Sequence, residues 1–207
     1  MIYDGSPAKH LGQLAALIVG KLLAKNRCLY LNSPAMVAGL RSYLAADGVD
    51  VEREITEGSL ILSSDLSHLA NGVFDVERML GMLNNAVTQA LNDGYDGMWT
   101  TGDMTWEFGN EQNLGKLLEY ECGLEELFRQ QPALCGICQY HTGTLPFVAI
   151  KDGLCTHEAI YVNGTISRIN PYYALHGAPA SLSRQRPDLV ISSLEALLHR
   201  LQRQTVL

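Results

Sequence analysis

Hydrophobic residues recur along most of this chain at two alternating spacings, one typical of helices and one typical of buried strands. Intervals of three and four positions separate Leu11 from Leu14 and Ala15, and Ile18 from Ala15 and Leu14. This spacing places the four residues on one face of a helix. Similar repeats occur further along the chain, and Pro34 and Asp75 are typical first residues of two more helices. Together, these patterns predict strands at residues 27–31, 59–63, 98–101 and 133–140, and helices at 11–23, 34–44, 75–91, 112–128 and 146–153.

Strands separated by helices predict a mostly parallel sheet built from strand–helix–strand units. Residues 59–63 form a near-continuous apolar run, typical of a strand that is covered on both faces. Asn163 and Gly164 form a favoured two-residue turn and predict an edge hairpin over 158–169. The expected fold class is α/β: a mostly parallel sheet flanked by helices in three layers, with an edge hairpin and a terminal helix.

The last part of the chain changes in composition. Residues 1–173 are expected to form one domain, and residues 174–187, rich in Gly, Ala, Ser and Pro, read as a linker. Residues 188–207 then carry an apolar helical stripe that includes Leu194, Leu197 and Leu201. Docking on the sheet, self-association and binding of a signalling protein remain open for this helix, and we expect a homodimer.

Charge and composition narrow the classes of partner. The chain has 207 residues, 47% of them hydrophobic and 18% charged, with a net charge of −7. An acidic surface argues against nucleic acid and anionic membranes as partners. The first residues lack a basic and apolar export signal, and the longest apolar stretch, 14–24, contains Lys21. Five cysteines, an odd count, read as reduced thiols, and we expect a cytoplasmic protein.

The strand predicted at 98–101 leads into the most informative segment. Both tryptophans, Trp99 and Trp106, flank Thr101, Asp103 and Met104. Ligands of open parallel sheets bind at the carboxyl ends of strands, and aromatic walls beside polar groups are typical of small-molecule pockets. This segment has two interpretations: it lines a ligand pocket at this edge, or it is a strand-to-loop connection whose tryptophans pack in the core.

Cysteine and histidine side chains form a second candidate group. Cys135, Cys138, His141 and His157 are potential zinc ligands. Cys135 and Cys138 are an odd number of positions apart on a predicted strand, so their side chains point to opposite faces. We therefore predict no metal, and keep these four residues as the alternative. Cys138 shares a face with Tyr140, and either packs as a structural thiol or lines a ligand site.

No phosphate-binding loop is present. Gly115 and Lys116 are followed by leucine and lack the required glycine spacing, and residues 4–10, before the first helix, have no glycine pattern either. We expect no ATP hydrolysis, and no cofactor is predicted.

Several segments, in order, resemble one known family. They are Phe-Asp-Val-Glu-Arg-Met at 74–79, Gly-Asp-Met-Thr-Trp at 102–106, Leu-Glu-Tyr-Glu at 118–121, Cys-Gln-Tyr at 138–140 and Asn-Pro-Tyr-Tyr at 170–173. The chain resembles the MEDS domain, a sensory domain of methanogens, methylotrophs and the DcmR regulator. The resemblance implies a KaiC/RecA-like core without ATPase chemistry that senses small hydrocarbon derivatives in prokaryotic signalling.

The resemblance and the strand pattern together give the expected ligand-binding residues: Tyr3, Asp4, Trp99, Thr101, Asp103, Met104, Trp106, Glu121, Cys138 and Tyr140. We expect six of these side chains to surround one cavity at the carboxyl edge of the sheet: Trp99, Asp103, Met104, Trp106, Cys138 and Tyr140. The expected function is a small-molecule sensor without enzymatic activity. The alternative is a small enzyme that uses the same pocket with a Cys/His nucleophile or a metal.

Overall fold

A computed structural model of the chain describes residues 1–65, 69–70, 73–107, 114–157, 159–162 and 165–167. The predicted linker at 174–187, the predicted helix at 188–207 and the turn at 163–164 lie outside the described residues. None of the helices in the described part is long and apolar enough to cross a membrane.

Six of the seven strands in the main sheet run parallel, and the order across the sheet is β3-β2-β6-β7-β1-β8-β9. Strand β9 pairs antiparallel with β8, which confirms the edge hairpin. Strands β4 and β5 form a separate two-stranded ribbon. The strands are β1 Ile2–Tyr3, β2 Asn26–Leu31, β3 Leu60–Ser63, β4 Leu69–Ala70, β5 Val73–Phe74, β6 Gly97–Asp103, β7 Leu134–His141, β8 Ile160–Val162 and β9 Thr165–Ser167.

Helices connect these strands, and most begin where the sequence predicts a start. The helices are α1 Leu11–Leu23, α2 Pro34–Ala46, α3 Val51–Thr56, α4 Val76–Asn92, α5 Met104–Glu107, α6 Leu114–Gln130 and α7 Phe147–Thr156, and a 3-10 turn at Pro7–His10 precedes α1. The Asp75 carboxylate accepts a hydrogen bond from the Arg78 N–H at 2.9 Å and so caps α4. Pro34, at the first turn of α2, has no N–H to leave unsatisfied.

The direction of each crossover decides which face a helix covers. Connections between parallel strands are right-handed, so connections that progress in opposite directions across the sheet lie on opposite faces. Helices α1 and α2 cover one face, the α1 face, where Ile18, Tyr30 and Trp99 belong to one buried cluster. Helices α4, α6 and α7 cover the other, the α6 face, where Met79 and Tyr120 belong to a second cluster. The predicted three-layer arrangement is confirmed.

Several elements differ from the prediction. Strand β6 continues past Thr101, because Gly102 pairs with both Leu31 and Cys138, and Asp103 pairs with Gln139. Helix α5 then begins at once, where a loop was predicted. The two-residue strand β1 and the short helix α3 had no counterpart in the prediction, because neither is long enough to show a periodic pattern.

Candidate functional site

Two clusters of buried and partly buried polar side chains lie on opposite faces of the sheet. The Glu121 cluster, on the α6 face, consists of Glu121, Cys138, Tyr140 and His157. The Asp103 cluster, on the α1 face, consists of Tyr3, His10, Asp103 and His141. Five of these residues were expected to line one ligand site, and strand register explains their separation: Tyr3, Asp103, Glu121, Cys138 and Tyr140.

The Glu121 cluster is built around a carboxylate that is only 2% exposed. Cys138 and Tyr140 are two positions apart on β7, so both side chains face α6, which carries Glu121. The Tyr140 hydroxyl donates to Oε1 of Glu121, and the Cys138 thiol donates to Oε2 at 3.6 Å. Nε2 of His157, just beyond the end of α7, lies 3.3 Å from the same Oε2. Side chains from β7 and from the end of α7 therefore converge on one carboxylate of α6.

The position of one proton in this cluster follows from its hydrogen bonds. His157 Nδ1 lies 2.7 Å from the Gly153 carbonyl oxygen. A carbonyl only accepts, so Nδ1 carries a hydrogen and the other ring nitrogen, Nε2, faces the Glu121 carboxylate. Two bare acceptors would repel at this distance, and the contact therefore holds one proton, on the imidazole or on the carboxyl group. The cluster is therefore a hydrogen-bonded imidazole–carboxyl pair beside a thiol.

The Tyr140 hydroxyl is protonated at neutral pH. Burial raises its pKa well above the ordinary value for tyrosine, and the nearby negative charge of Glu121 raises it further. Gly153 of α7 makes room for the ring, because a Cβ at this position would lie 2.4 Å from Tyr140 Cζ. Gly153 therefore positions His157 through its carbonyl oxygen and leaves space for the Tyr140 ring. A single glycine within a helical sequence pattern does not indicate either role.

A cavity of about 490 Å³ borders the Glu121 cluster. Cys138 and His157 belong to its wall, and Phe128 and Arg129 come from the last turn of α6. Helices that follow parallel strands run back toward the amino ends of those strands, so this cavity lies toward the amino edge of the sheet. A cavity at the carboxyl edge was expected instead. Its lining is Met1, Glu125, Phe128, Arg129, Gly136, Ile137, Cys138, His157, Ala159 and Tyr161.

The Asp103 cluster is a packed set of rings around a second buried carboxylate. The Tyr3 hydroxyl donates to Asp103 Oδ2 at 3.1 Å. The ring centroid of Tyr3 lies 4.7 Å from that of His10 and 5.1 Å from that of His141. Burial, and then the Asp103 charge, raise the pKa of Tyr3. Beside this cluster, Gln139 donates to the Thr101 hydroxyl at 2.9 Å.

The remaining expected ligand residues are spread over both faces. Trp99 is 3% exposed and packs in the cluster of the α1 face. Met104 packs in the cluster of the α6 face. Asp4 follows Tyr3 and is partly buried, and the side chain of Trp106 lies outside the described part of the structure.

The side chains expected to share one cavity therefore lie on opposite faces of the sheet, although the strand ends lie at one edge. Gly102 pairs with Cys138, and Asp103 pairs with Gln139. Because side chains alternate along a strand, the Asp103 side chain and the Cys138 side chain point to opposite faces of the sheet. Adjacent strand ends were correctly recognised, but the register that separates their faces was not.

The alternative metal set is also divided by this alternation. Cys135 and His141 occupy positions of β7 that face α1, whereas Cys138 faces α6. The four residues are therefore not brought together. Instead, the ligating atoms of Glu121, Cys138 and His157 all lie within 4.8 Å of one another. Glu121 was expected to bind a ligand but not to join a thiol and an imidazole, since its distance along the chain gives no such signal.

Comparison with models of protein families identifies the family of this chain. The family model described as MEthanogen/methylotroph, DcmR Sensory domain matches residues 2–158, which include both polar clusters and the cavity wall through His157. The protein therefore belongs to the MEDS family of sensory domains. No curated protein matched the chain.

Proposed function

We propose that this chain is a sensory domain that binds a small molecule in the cavity beside the Glu121 cluster. Membership of a sensory-domain family supports the sensory role. The cavity carries the rest of the proposal, because its volume of about 490 Å³ falls within the range of about 300–1,000 Å³ usual for ligand pockets.

The chemistry of the wall indicates the kind of ligand. Phe128, Ala159 and Tyr161 supply apolar surface, and Cys138 and His157 supply polar groups at one end. A short hydrocarbon chain with one polar group matches this division, because the chain removes apolar wall from water while the polar group finds a hydrogen-bond partner. The wall also carries charges of both signs, because Glu125 lies in it beside Arg129, whose guanidinium is paired with Glu126, so these groups do not select the charge of the ligand.

The proposal is tested by titrating the protein with small alcohols, carboxylates and haloalkanes, followed by calorimetry. Ala159 is exposed at the cavity wall, so Ala159→Trp should block the cavity without disturbing the core. We expect at least one of these three ligand classes to bind, and Ala159→Trp to raise its Kd at least about tenfold, a loss of about 1.4 kcal/mol.

Val148→Trp is the matched control, because Val148 is 43% exposed on α7 and is not part of the cavity wall. This variant should bind as the wild type does. The proposal is wrong if no class binds, or if Ala159→Trp and Val148→Trp bind equally well.

A small enzyme that uses the same residues is a second candidate, favoured by the grouping of a thiol, an imidazole and a carboxylate within 4.8 Å. The same titrations separate the two functions. A sensor leaves each probe unchanged after prolonged incubation, whereas an enzyme yields a new species by NMR that disappears in Cys138→Ser.

The route of output is a further part of the proposal. We propose that signalling proceeds through a partner protein or through a homodimer formed by residues 188–207, with no nucleic-acid or membrane surface involved. Comparing the mass in solution of the full chain with that of a chain ending at residue 173 tests this, and a dimer that becomes a folded monomer supports it.

A further inference from the structure

The strongest unassigned feature is the chemistry of the three groups that meet at Glu121. A carboxylate, a thiol and an imidazole are the side chains that bind zinc in proteins. Glu121 is 2% exposed and Cys138 is 5% exposed, whereas 23% of the His157 side chain is exposed. The group is therefore buried but reachable from the cavity that Cys138 and His157 line.

We propose that Glu121, Cys138 and His157 bind one Zn²⁺ ion, with a fourth coordination position open to the cavity. Three protein ligands and one open position are the arrangement of zinc sites that take up a water molecule or a small ligand. The site goes beyond the proposed sensory function, because the ion would bind whether or not a small molecule is present.

Distances among the three groups suit this ion. In a tetrahedral zinc site the usual bond lengths give about 3.6 Å between sulfur and a carboxylate oxygen, and about 3.4 Å between oxygen and an imidazole nitrogen. Cys138 Sγ lies 3.6 Å from Glu121 Oε2, and His157 Nε2 lies 3.3 Å from the same oxygen. Two edges of the tetrahedron are therefore already formed.

Surrounding groups hold the ligands in the required state. The Gly153 carbonyl fixes the hydrogen on His157 Nδ1, which leaves Nε2 as the coordinating atom. The Tyr140 hydroxyl donates to the other oxygen of Glu121, Oε1, and so orients the carboxylate. Metal-bound histidines and carboxylates normally have such partners, and here both are present.

The test is a titration of the full chain, stripped of metal with a chelator and kept reduced, with Zn²⁺ and with Co²⁺ as a spectroscopic substitute. We expect one equivalent of metal to bind, and Co²⁺ to give the near-ultraviolet charge-transfer band of a thiolate ligand. Cys138→Ser should abolish this band. His157→Gln and Glu121→Gln should each weaken Zn²⁺ binding by at least about tenfold.

Matched controls lie on the same strand. Cys135→Ser and His141→Gln remove potential ligands from the opposite face of β7 and should leave Zn²⁺ affinity unchanged. His157→Gln changes a partly exposed side chain, so it tests the site even if Cys138→Ser fails to fold. The proposal is overturned if the wild type binds no metal, or if the control variants weaken binding as much as His157→Gln.

No small molecule enters these titrations. Binding of Zn²⁺ without binding of any organic probe would contradict the proposed function alone. Binding of a probe by a protein that binds no Zn²⁺ would contradict the metal site alone.

Discussion

The two faces of the sheet each bury a carboxylate that accepts a hydrogen bond from a tyrosine, yet they do so in different ways. On the α1 face, Asp103 and Tyr3 both come from parallel strands, and backbone pairing holds them in place. On the α6 face, Glu121 comes from a helix and collects partners from β7 and from the end of α7. The strand-based cluster is fixed by register, and the helix-based cluster depends on helix packing.

Access differs between the faces as well. The rings of His10 and His141 pack against Tyr3, so the Asp103 cluster is filled with side chains. The Glu121 cluster borders a cavity of about 490 Å³. A buried carboxylate with partners from a strand and from the end of a helix, next to an open wall, is accessible to a ligand or a metal, which a filled cluster is not. This comparison directs the following predictions.

The largest effect is expected from Glu121→Ala. Removing this carboxylate leaves His157, Tyr140 and Cys138 without their shared partner, and breaking such a buried pair costs about 3 kcal/mol or more in the free energy of unfolding. Asp103→Ala should cost less, about 1.5–3 kcal/mol, the usual value for a hydrogen bond to a buried charge. Urea denaturation at neutral pH with a chelator present measures both.

Glu119→Ala is the control, since Glu119 is exposed on the same helix and its removal should change stability by no more than about 0.5 kcal/mol. An Asp103→Ala variant that is less stable than Glu121→Ala would reverse the proposed ranking of the two faces.

A smaller effect is expected from adding one methyl group at matched helical glycines. At Gly153 the new Cβ would lie 2.4 Å from Tyr140, whose ring is held by its hydrogen bond to Glu121. Gly153→Ala should therefore cost about 1–3 kcal/mol by overpacking. At Gly39, on α2, the new Cβ would lie 2.7 Å from Cδ1 of Leu11, the end of a flexible side chain. A gain of about 1 kcal/mol in helix propensity should then offset the adjustment.

Thermal unfolding of the two variants measures this difference. Equal losses would mean that the Tyr140 ring moves as easily as the end of a leucine side chain. The Glu121 cluster would then be less rigid than its hydrogen bonds indicate.

The sequence predicted the layers better than the site, and strand register accounts for the difference. Apolar periodicity in residues 11–23 and 75–91 depends only on local spacing, so helices α1 and α4 could be recognised. The pairing of Gly102 with Cys138 is a long-range choice, and a change of one residue in register exchanges the faces of every side chain. The chain pattern alone could not show that Trp99 and Cys138 face opposite layers.

Glu121 shows the same limit from the helical side. Its place in a motif shared with the family led to a ligand-binding prediction, which is not tested by the structure. Its contact with His157 joins residues 36 positions apart through the packing of α6 beside α7. Nothing in the spacing of the sequence encodes that contact, because it arises only when both helices cover the same face.

The smallest predicted effect concerns alkaline pH and compares the two tyrosines directly. Burial, followed by the neighbouring carboxylate, raises the pKa of both Tyr3 and Tyr140 in the folded protein, whereas tyrosine in the unfolded chain has a pKa of about 10. The folded state therefore keeps protons that the unfolded state loses, so stability is fully present below about pH 10 and falls above it. Each such tyrosine should contribute a slope of about −1.4 kcal/mol per pH unit.

Urea denaturation between neutral and alkaline pH measures this slope. Tyr3→Phe and Tyr140→Phe should each reduce its magnitude by this amount. Tyr43→Phe, at a position 44% exposed, is the control and should leave the slope unchanged. A slope that responds to Tyr140→Phe but not to Tyr3→Phe would mean that the α1 face admits water at alkaline pH, and that the Asp103 cluster is the more open of the two.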